Sequence, residues 1–250
     1  MDEDAELAAL RKMLTAGPRT QRQRPAALTP PSQPGGGSAP LGTNMGTESE
    51  TPNSAVRLLE LLKDRDGLQE AQPMLEAELR QREQRLGMDH PDTLLSVTCL
   101  AMLLQAKGEL AAARPHYERA LAGFEAKYGP TARDTLISVN NLAVLLKAMG
   151  NLAEARPLYQ RVLAGDEAQL GKTHPHTLDS IYNLARLYQA ENNLAEAVPL
   201  FQRELDGCVA QYGEQHNETR TSANNLHGIM MEMGKAAEAA ELAARFNLLT

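Results

Sequence analysis

The sequence repeats itself with a period of 42 residues. Glycines, threonines, leucines and alanines each recur at this interval. The glycines are Gly87, Gly129, Gly171 and Gly213, and the threonines are Thr51, Thr93, Thr135, Thr177 and Thr219. A fixed period of this length indicates a solenoid, in which each unit leaves an apolar face that only its neighbour can bury. The period therefore constrains the fold more than any single motif does.

Each period contains two amphipathic helices. In the unit Thr135–Gly171, apolar residues at helical spacing form one stripe before Gly150 and a second stripe after Asn151. Gly150 can adopt the left-handed conformation that ends a helix, and Asn151 with Glu154 makes a capping box that starts the next one. The unit is thus an antiparallel helix pair, and we predict an all-α solenoid of about five such pairs.

Two local features return in neighbouring units. The capping box recurs at Asn193 and Glu196. A proline also recurs about six residues into the second helix, where it costs roughly 3 kcal/mol in a regular helix. We therefore expect a bend or a tightened first turn in each second helix. These prolines are Pro73, Pro115, Pro157 and Pro199.

Composition divides the chain into two parts. Residues 1–47 contain the stretch PPSQPGGGSAP and bury too little apolar surface to offset the entropy of ordering them. We predict a disordered N-terminal segment there, in which a short amphipathic helix could form at 2–14. The repeat domain is predicted to span 48–250, in units of about 48–89, 90–130, 131–172, 173–214 and 215–250. The short and more polar last unit indicates a cap.

Composition and charge argue against several classes of protein. The formal charge is −7 and the pI is about 5.4, which disfavours a surface for nucleic acids or anionic membranes. Tryptophan is absent and aromatic residues make up 4%, as suits helices packed through leucine and alanine. Cys99 and Cys208 lack metal-ligand spacing and are predicted to be free thiols. The N-terminus shows neither a secretory signal nor a membrane anchor, so we predict a cytoplasmic protein.

The pattern NNLAxLLxxxGxLxEAxPLYxRxL, preceded by HPxT, resembles the tetratricopeptide repeat, in the 42-residue form found in kinesin light chains. The resemblance covers about four fifths of the chain. Its signature positions are occupied by Asn141, Leu142, Ala143, Gly150, Leu152, Ala155, Tyr159 and Val162, and the opening of the unit by His174, Pro175, His176 and Thr177.

The resemblance implies a right-handed superhelix whose first helices line a concave groove for a peptide or a partner's helix. Asparagine recurs in this groove and could donate to and accept from a ligand backbone; alternatively, it is solvated or bonded to the neighbouring unit. The implied groove residues are Asn140, Asn141, Val144, Lys147, Asp179, Tyr182, Asn183, Arg186, Asn224 and Asn225. The wider face adds Leu95, Thr98, Cys99, Met102, Gln105, Ile137, Gln189, Thr221, Gly228 and Met231.

Two departures from the family narrow the function. Members that clamp a C-terminal carboxylate carry lysine or arginine where this chain has Thr98, Asn140, Tyr182 and Asn224, so we do not expect that ligand class. Kinesin light chains also carry an N-terminal heptad coiled coil, and residues 1–47 contain no sustained heptad. We predict a protein-protein interaction scaffold or adaptor. A kinesin-associated cargo adaptor and a self-associating array, pairing through Leu248 and Leu249, are the alternatives.

An enzyme is the competing interpretation. His90, His174 and His216 recur at loops between units, which invites a metal or acid-base site, yet histidines beside a helix start more often have a structural role. No HExxH, phosphate-binding glycine loop or GxSxG pattern occurs. We predict no catalytic residue, no metal and no cofactor. The expected partner is a protein or peptide, neither nucleic acid nor membrane, and a homo-oligomer stays open.

Overall fold

The computed structural model describes residues 65–248, which form nine α-helices and no strand. The predicted tail at 1–47 with its helix at 2–14, the first helix of the first unit, and Leu249 lie outside the described residues. No helix within 65–248 has the length and apolar character needed to cross a bilayer. In chain order the helices are α1 (Arg65–Leu86), α2 (Pro91–Ala106), α3 (Leu110–Tyr128), α4 (Arg133–Ala148), α5 (Leu152–Leu170), α6 (Pro175–Ala190), α7 (Leu194–Tyr212), α8 (Asn217–Glu232) and α9 (Ala236–Phe246).

Each helix packs mainly against the helices that precede and follow it in the chain. The pairs are α2 with α3, α4 with α5, α6 with α7, and α8 with α9, and successive pairs meet through the second helix of one and the first helix of the next. This nearest-neighbour stacking is the arrangement of an α-solenoid. The predicted all-α solenoid is confirmed.

The core runs along the pairs and is built largely from leucine and alanine. In the pair α4–α5, Leu145 and Ala143 are fully buried against Ala155 and its neighbours. An aromatic ring lies at the centre of each of two successive pairs: Tyr159 is 1% exposed and Phe201 is 0% exposed. Tyr117, one period before Tyr159, is 3% exposed, and Ala243 takes the equivalent position in the last pair. A chain with few aromatic residues can therefore still fill the core of the three pairs from α2 to α7, because the period places a ring at the same position in each of those three.

The recurring glycines and threonines form one structural contact between pairs. Gly129 has a φ of 86°, a conformation that favours glycine, and its carbonyl oxygen accepts a hydrogen bond from Thr135 Oγ1 at 2.8 Å. Thr135 is fully buried, so the bond satisfies a hydroxyl that water cannot reach. This contact explains the strict spacing of both residue types. It recurs between Thr93 and Gly87, Thr177 and Gly171, and Thr219 and Gly213.

Histidine caps three of the first helices. The Nδ1 of His90 accepts a hydrogen bond from the backbone N–H of Asp92 at 3.2 Å. His174 and His216 accept the equivalent bond, also at 3.2 Å. A side-chain acceptor at this point satisfies one of the amides that the first turn of a helix leaves free. The recurrence of these histidines therefore has a structural cause.

The turn within a pair differs from one unit to the next. Gly150 has a φ of 81°, and Asn192 takes the equivalent position in the next pair with a φ of 57°. The predicted capping box forms in part at Asn193: its side chain accepts from the Glu196 N–H at 3.4 Å, whereas the Asn193 N–H donates to the Tyr188 carbonyl oxygen and not to Glu196. It is wrong at Asn151, which makes no side-chain cap bond.

The backbone explains why Asn151 does not cap with its side chain. Its carbonyl oxygen accepts from the N–H groups of both Glu154 and Ala155, at 3.2 and 3.1 Å. The amide that a capping side chain would bind is thus already satisfied by a tightened first turn, which is one of the two outcomes expected for a helix that contains proline. The helix then runs through Pro157 without a break. Pro157 and Ala153, whose carbonyl loses its helical donor, are both exposed, so water can bind there.

Arginines tie each second helix to the preceding one. Arg161 on α5 forms an ion pair with Glu125 on α3 at 2.5 Å and donates to the Pro130 carbonyl oxygen at 2.6 Å. The same kind of pair occurs one period earlier and one period later, between Arg119 and Glu83 and between Arg203 and Glu167. A row of ion pairs thus follows the outer side of the second helices.

The last pair is shorter, and its end folds back on the core. Helix α9 has 11 residues, whereas α5 has 19. Asn247 adopts a left-handed conformation, and the Leu248 N–H then bonds to the Ala243 carbonyl oxygen at 2.9 Å. Leu248 is only 9% exposed. It contributes to the core and is not available for the end-to-end pairing proposed for it.

Candidate binding face of the first helices

The predicted groove residues of α4, α6 and α8 all lie at least partly exposed. Positions spaced three, four and seven residues apart share a side of a helix, and Leu142 and Leu145 of α4 are buried. We call the ten residues the groove face. They are Asn140, Asn141, Val144 and Lys147 on α4, Asp179, Tyr182, Asn183 and Arg186 on α6, and Asn224 and Asn225 on α8.

The expected extension of this face onto α2 is wrong at three positions. Thr98, Cys99 and Gln105 are 3%, 7% and 7% exposed, so a ligand cannot reach them. Thr98 Oγ1 donates to the carbonyl oxygen of Leu94 on its own helix at 2.9 Å. Hydroxyls that bond one turn back in this way need no external partner.

Side-chain contacts join the groove face across neighbouring first helices. Asn183 Nδ2 on α6 donates to Asn140 Oδ1 on α4 at 3.4 Å. Gln189 Nε2 on α6 donates to both carboxylate oxygens of Glu232 on α8, at 2.9 and 3.0 Å. The three helices therefore present one connected polar surface. Bonding of an asparagine to the neighbouring unit, the alternative to ligand binding, is observed for Asn183.

A pair of basic side chains lies in the middle of this surface. Lys147 is partly buried and has neither an ion pair nor a hydrogen bond with any residue between 65 and 248. Burial lowers the pKa of Lys147, and the nearby positive charge of Arg186 lowers it further. Arg186 donates to Gln189 Oε1 at 2.7 Å. The two cations are thus near enough for the charge of Arg186 to affect Lys147, and neither forms an ion pair with a carboxylate of residues 65–248.

The remaining asparagines and the tyrosine have different surroundings. Asn141 Nδ2 is buried and lacks a hydrogen-bond partner within the described part of the chain, a situation that costs about 1–3 kcal/mol. Asn224 is exposed and Asn225 partly exposed. The ring of Tyr182 packs edge-on against Phe201, with centroids 6.1 Å apart. Tyr182 therefore contributes to packing and is only partly open to a ligand.

One residue of this surface escaped sequence analysis. Glu232 is exposed at the end of α8 and holds Gln189 in place. Its position in the period corresponds to an alanine in the other described first helices, Ala106, Ala148 and Ala190. The replacement of this recurring alanine by glutamate is the sequence feature from which a role for Glu232 in the surface could have been predicted.

The histidines that invited a metal interpretation act at helix ends. The rings of His174 and His176 stack with centroids 5.4 Å apart. Within residues 65–248, no group of three or more histidine, cysteine, aspartate and glutamate side chains is arranged to hold a metal ion. His174 caps α6, as described above, and His176 Nδ1 lies 3.8 Å from Asp179 Oδ2.

Two shallow clefts of about 530 Å³ each lie away from the groove face, on the second helices. One is lined by Arg119 and Gly123 and the other by Arg161 and Gly165, one period later. Both arginines are already engaged with glutamates and backbone carbonyls. These clefts are by-products of the repeating helix contact.

Comparison with known proteins supports the repeat assignment. A tetratricopeptide repeat family model matches residues 94–168 and again residues 134–208. None of the curated proteins compared with the chain matches it significantly.

Solved structures resemble the chain over most of its length. A kinesin light chain-like protein of Podosopora anserina, with nearly identical repeats of this type, is 26% identical with a TM-score of 0.69, over 78% of this chain and 93% of that one. BtubC (BKLC) of P. vanneervenii is 17% identical with a TM-score of 0.64, over 100% and 94% of the two chains. A Rap protein solved with Competence and Sporulation Factor is 15% identical with a TM-score of 0.52, over 78% and 51%. The last two similarities concern the fold alone.

Proposed function

The chain is a tetratricopeptide repeat protein of the kinesin light chain-like type, and on that premise we propose that it is a non-catalytic scaffold that binds a partner's extended peptide across the groove face. The repeat fold is shared by many protein-binding molecules, so the specific proposal has to come from the site.

The observation that carries the proposal is that two donors of the groove face have no hydrogen-bond partner in the described part of the chain, whereas neighbouring polar side chains do. Asn183 and Gln189 bond to neighbouring helices, whereas Asn141 Nδ2 and the Lys147 ammonium have no partner among the described residues. Buried polar groups in folded proteins are nearly always bonded. A ligand that supplies acceptors beside α4 would satisfy both groups.

The charges favour a particular kind of ligand. Lys147 and Arg186 repel each other, and an anionic side chain placed between them would relieve that repulsion and the cost of partial burial. Asp179 and Glu232, at the edges of the same surface, disfavour further acidic groups there. We therefore propose that the peptide places a carboxylate opposite Lys147 and uncharged residues on either side.

Apolar side chains give the other half of the surface a different character. Ile137 is 39% exposed on α4, and Leu95, Met102 and Val144 are partly exposed near the α2 side. A peptide with a carboxylate at one point and a large apolar residue toward α2 would match both regions. Large apolar residues supply much of the binding energy in such interfaces.

A related structure supports peptide binding as a use of the fold. The Rap protein was solved in complex with Competence and Sporulation Factor. A cargo adaptor linked to a motor is a narrower form of the proposal, supported by the kinesin light chain-like repeats alone. Self-association through Leu248 is not supported, because Leu248 is part of the core, and Leu249 lies outside the described residues.

The experiment selects extended peptides from a displayed library on the full chain and then measures affinity by calorimetry. The double variant Asn141→Ala with Asn183→Ala should bind about thirtyfold more weakly, since Asn141 and the amide groups of Asn183 that its bond to Asn140 leaves free would each give up one ligand hydrogen bond of roughly 1 kcal/mol. Asn151→Ala is the matched control, because Asn151 makes no side-chain cap bond. Helicity and melting should be unchanged in both. Equal affinity of the double variant and the native chain would exclude the groove face as the binding site.

A further inference from the structure

A carboxyl group is buried where the last helix pair meets the rest of the array. Glu204 on α7 is 8% exposed and is the one buried carboxylate within residues 65–248. Ser222 Oγ on α8 donates a hydrogen bond to Glu204 Oε2, and Cys208 Sγ donates to Glu204 Oε1 at 3.4 Å. The carboxyl therefore belongs to the contact between α7 and α8, the contact that holds the last pair in place.

We call the contact between the second helix of one pair and the first helix of the next a junction, and we number the junctions along the chain from α1–α2. At the other junctions the serine equivalent to Ser222 has different surroundings. At the first junction, Arg82 Nη1 donates to Ser96 Oγ at 2.7 Å. At the third, Ser180 Oγ donates to Asp166, which is only partly buried, at 2.5 Å. The second junction has an apolar ring, Phe124, at the position that Asp166 takes one period later. A buried carboxyl is thus a property of the last junction and not of the repeat.

The charges around Glu204 all oppose its ionisation. Burial raises the pKa of Glu204 above its ordinary value of 4.5, and the carboxylates of Asp179 on α6 and Glu218 on α8 raise it further. The hydrogen bonds from Ser222 and Cys208 lower the pKa; each of these effects is smaller than that of burial and larger than that of either carboxylate. Helices α6 and α8 are the two that pack against α7, and each contributes an acidic group.

We propose that Glu204 is a pH-dependent latch: protonated, it holds α8 against α7, and its ionisation loosens the docking of the pair α8–α9. The protonated carboxyl is neutral and can remain in the contact with its hydrogen bonds. The carboxylate carries a charge that is buried in this contact without a cation as partner, and it draws water toward the interface.

The direction of the effect follows from linkage. A carboxyl whose pKa is raised in the folded state binds its proton more tightly there than in the unfolded chain. Its contribution to stability is complete below the ordinary pKa and is lost as the pH rises through the folded-state value. The last pair is therefore held most firmly below the ordinary pKa of 4.5 and becomes easier to open as the pH rises through the folded-state value.

Opening of the last pair would also change the groove face. Helix α8 carries Asn224, Asn225 and the Glu232 that bonds to Gln189. Loss of α8 would shorten the surface available to a long peptide. This consequence rests on the proposed function, whereas the latch itself concerns only the contact between helices and can be tested without any ligand.

The experiment follows amide hydrogen exchange along the full chain from about pH 5 to about pH 8, corrected for the intrinsic exchange rate, with the pair α4–α5 as internal reference. In the native chain, protection of α8–α9 relative to α4–α5 should fall as the pH rises over this range. Glu204→Gln keeps the shape of the side chain without its titration and should abolish that fall. Asp166→Asn, at the more exposed junction, is the control and should leave the fall in place.

A second variant keeps the test decisive if Glu204→Gln does not fold. Ser222→Ala removes a bond that favours the carboxylate, so the loss of protection should shift to higher pH. The latch is refuted if native chain and Glu204→Gln lose protection equally with pH, if α4–α5 loses it in parallel, or if Ser222→Ala leaves the profile where it was. If the protection of α8–α9 depends on pH as expected but the affinity for a peptide does not change with pH, the latch stands and only its proposed effect on peptide binding is refuted.

Discussion

Gly165 on α5 lies directly against the side chain of Leu136 on α4. A Cβ atom placed on Gly165 would stand 2.5 Å from Leu136 Cδ1, closer than real Cβ contacts. Leu136 is itself 3% exposed and has little room to move. The same relationship is found between Gly123 and Leu94 and between Gly207 and Leu178. Helical glycine in these pairs is therefore kept by close packing between helices, and not by backbone conformation.

Gly165→Ala should lower the free energy of unfolding by about 1–3 kcal/mol, because overpacking outweighs the roughly 1 kcal/mol that alanine gains over glycine in a helix. Gly228→Ala is the control. Gly228 lies in α8 with no atom within 4 Å of the added Cβ, so that change should stabilise the protein by about 0.5–1 kcal/mol. Urea denaturation measures both, and a stabilising Gly165→Ala would show that Leu136 can move aside.

Arg161→Gln should lower the free energy of unfolding by about 1 kcal/mol. The substitution removes an ion pair to Glu125 and a hydrogen bond to the Pro130 carbonyl oxygen. Part of the loss should disappear in about 1 M salt, where the ion pair is screened. Glu125→Gln should cost less, because Arg161 keeps its backbone partner. Equal losses in the two variants would assign the whole effect to the ion pair.

Lys147→Met should raise the stability of the free protein by about 0.5–1 kcal/mol near pH 7, since a partly buried ammonium beside Arg186 is replaced by an apolar chain of similar length. The lowered pKa of Lys147 means that this cost is fully present below the folded-state pKa and is lost as the pH rises from that value to the ordinary pKa of 10.5. The same variant should bind an acidic peptide more weakly and with less dependence on salt. Lys172→Met, in an exposed turn, should change neither property.

Both cysteines should be unreactive in the folded protein. Burial raises the pKa of Cys99 and of Cys208 to about 12 in each case, so about one thiol in ten thousand is ionised at pH 8. Labelling with iodoacetamide at that pH should be at least about a hundredfold slower than in denaturant. Rapid labelling of Cys208 alone would indicate frequent opening of α7 from α8, and rapid labelling of both would contradict the buried positions.

Some features of the groove face could be predicted from the repeat pattern, and others could not. The resemblance to tetratricopeptide repeats predicts which residues share a side of α4, because helical spacing is a local property. It does not predict that Asn183 bonds to Asn140, or that Lys147 is left without a partner near Arg186. Those facts depend on the offset between helices from different pairs, which no single unit specifies.

The sequence alone determined the period, the helix pairs and the glycine turns. These follow from short-range rules: apolar residues at helical spacing, and left-handed conformations that glycine or asparagine can adopt. The sequence also placed His90, His174 and His216 at the starts of helices, but only the structure shows that their side chains accept hydrogen bonds from the first turn. Asn151 marks the limit, since a backbone bond in the tightened first turn replaced its predicted side-chain cap.

Only the tertiary structure decided which polar groups are buried and what they meet. Thr98, Cys99 and Gln105 repeat groove positions of the pattern and are nevertheless inaccessible, while Glu204 sits inside a junction where its neighbours are acidic. Burial and electrostatic surroundings are sums over residues distant in the chain. A repeat fixes which helices touch, but the chemistry of each contact depends on the side chains that two different units bring to it.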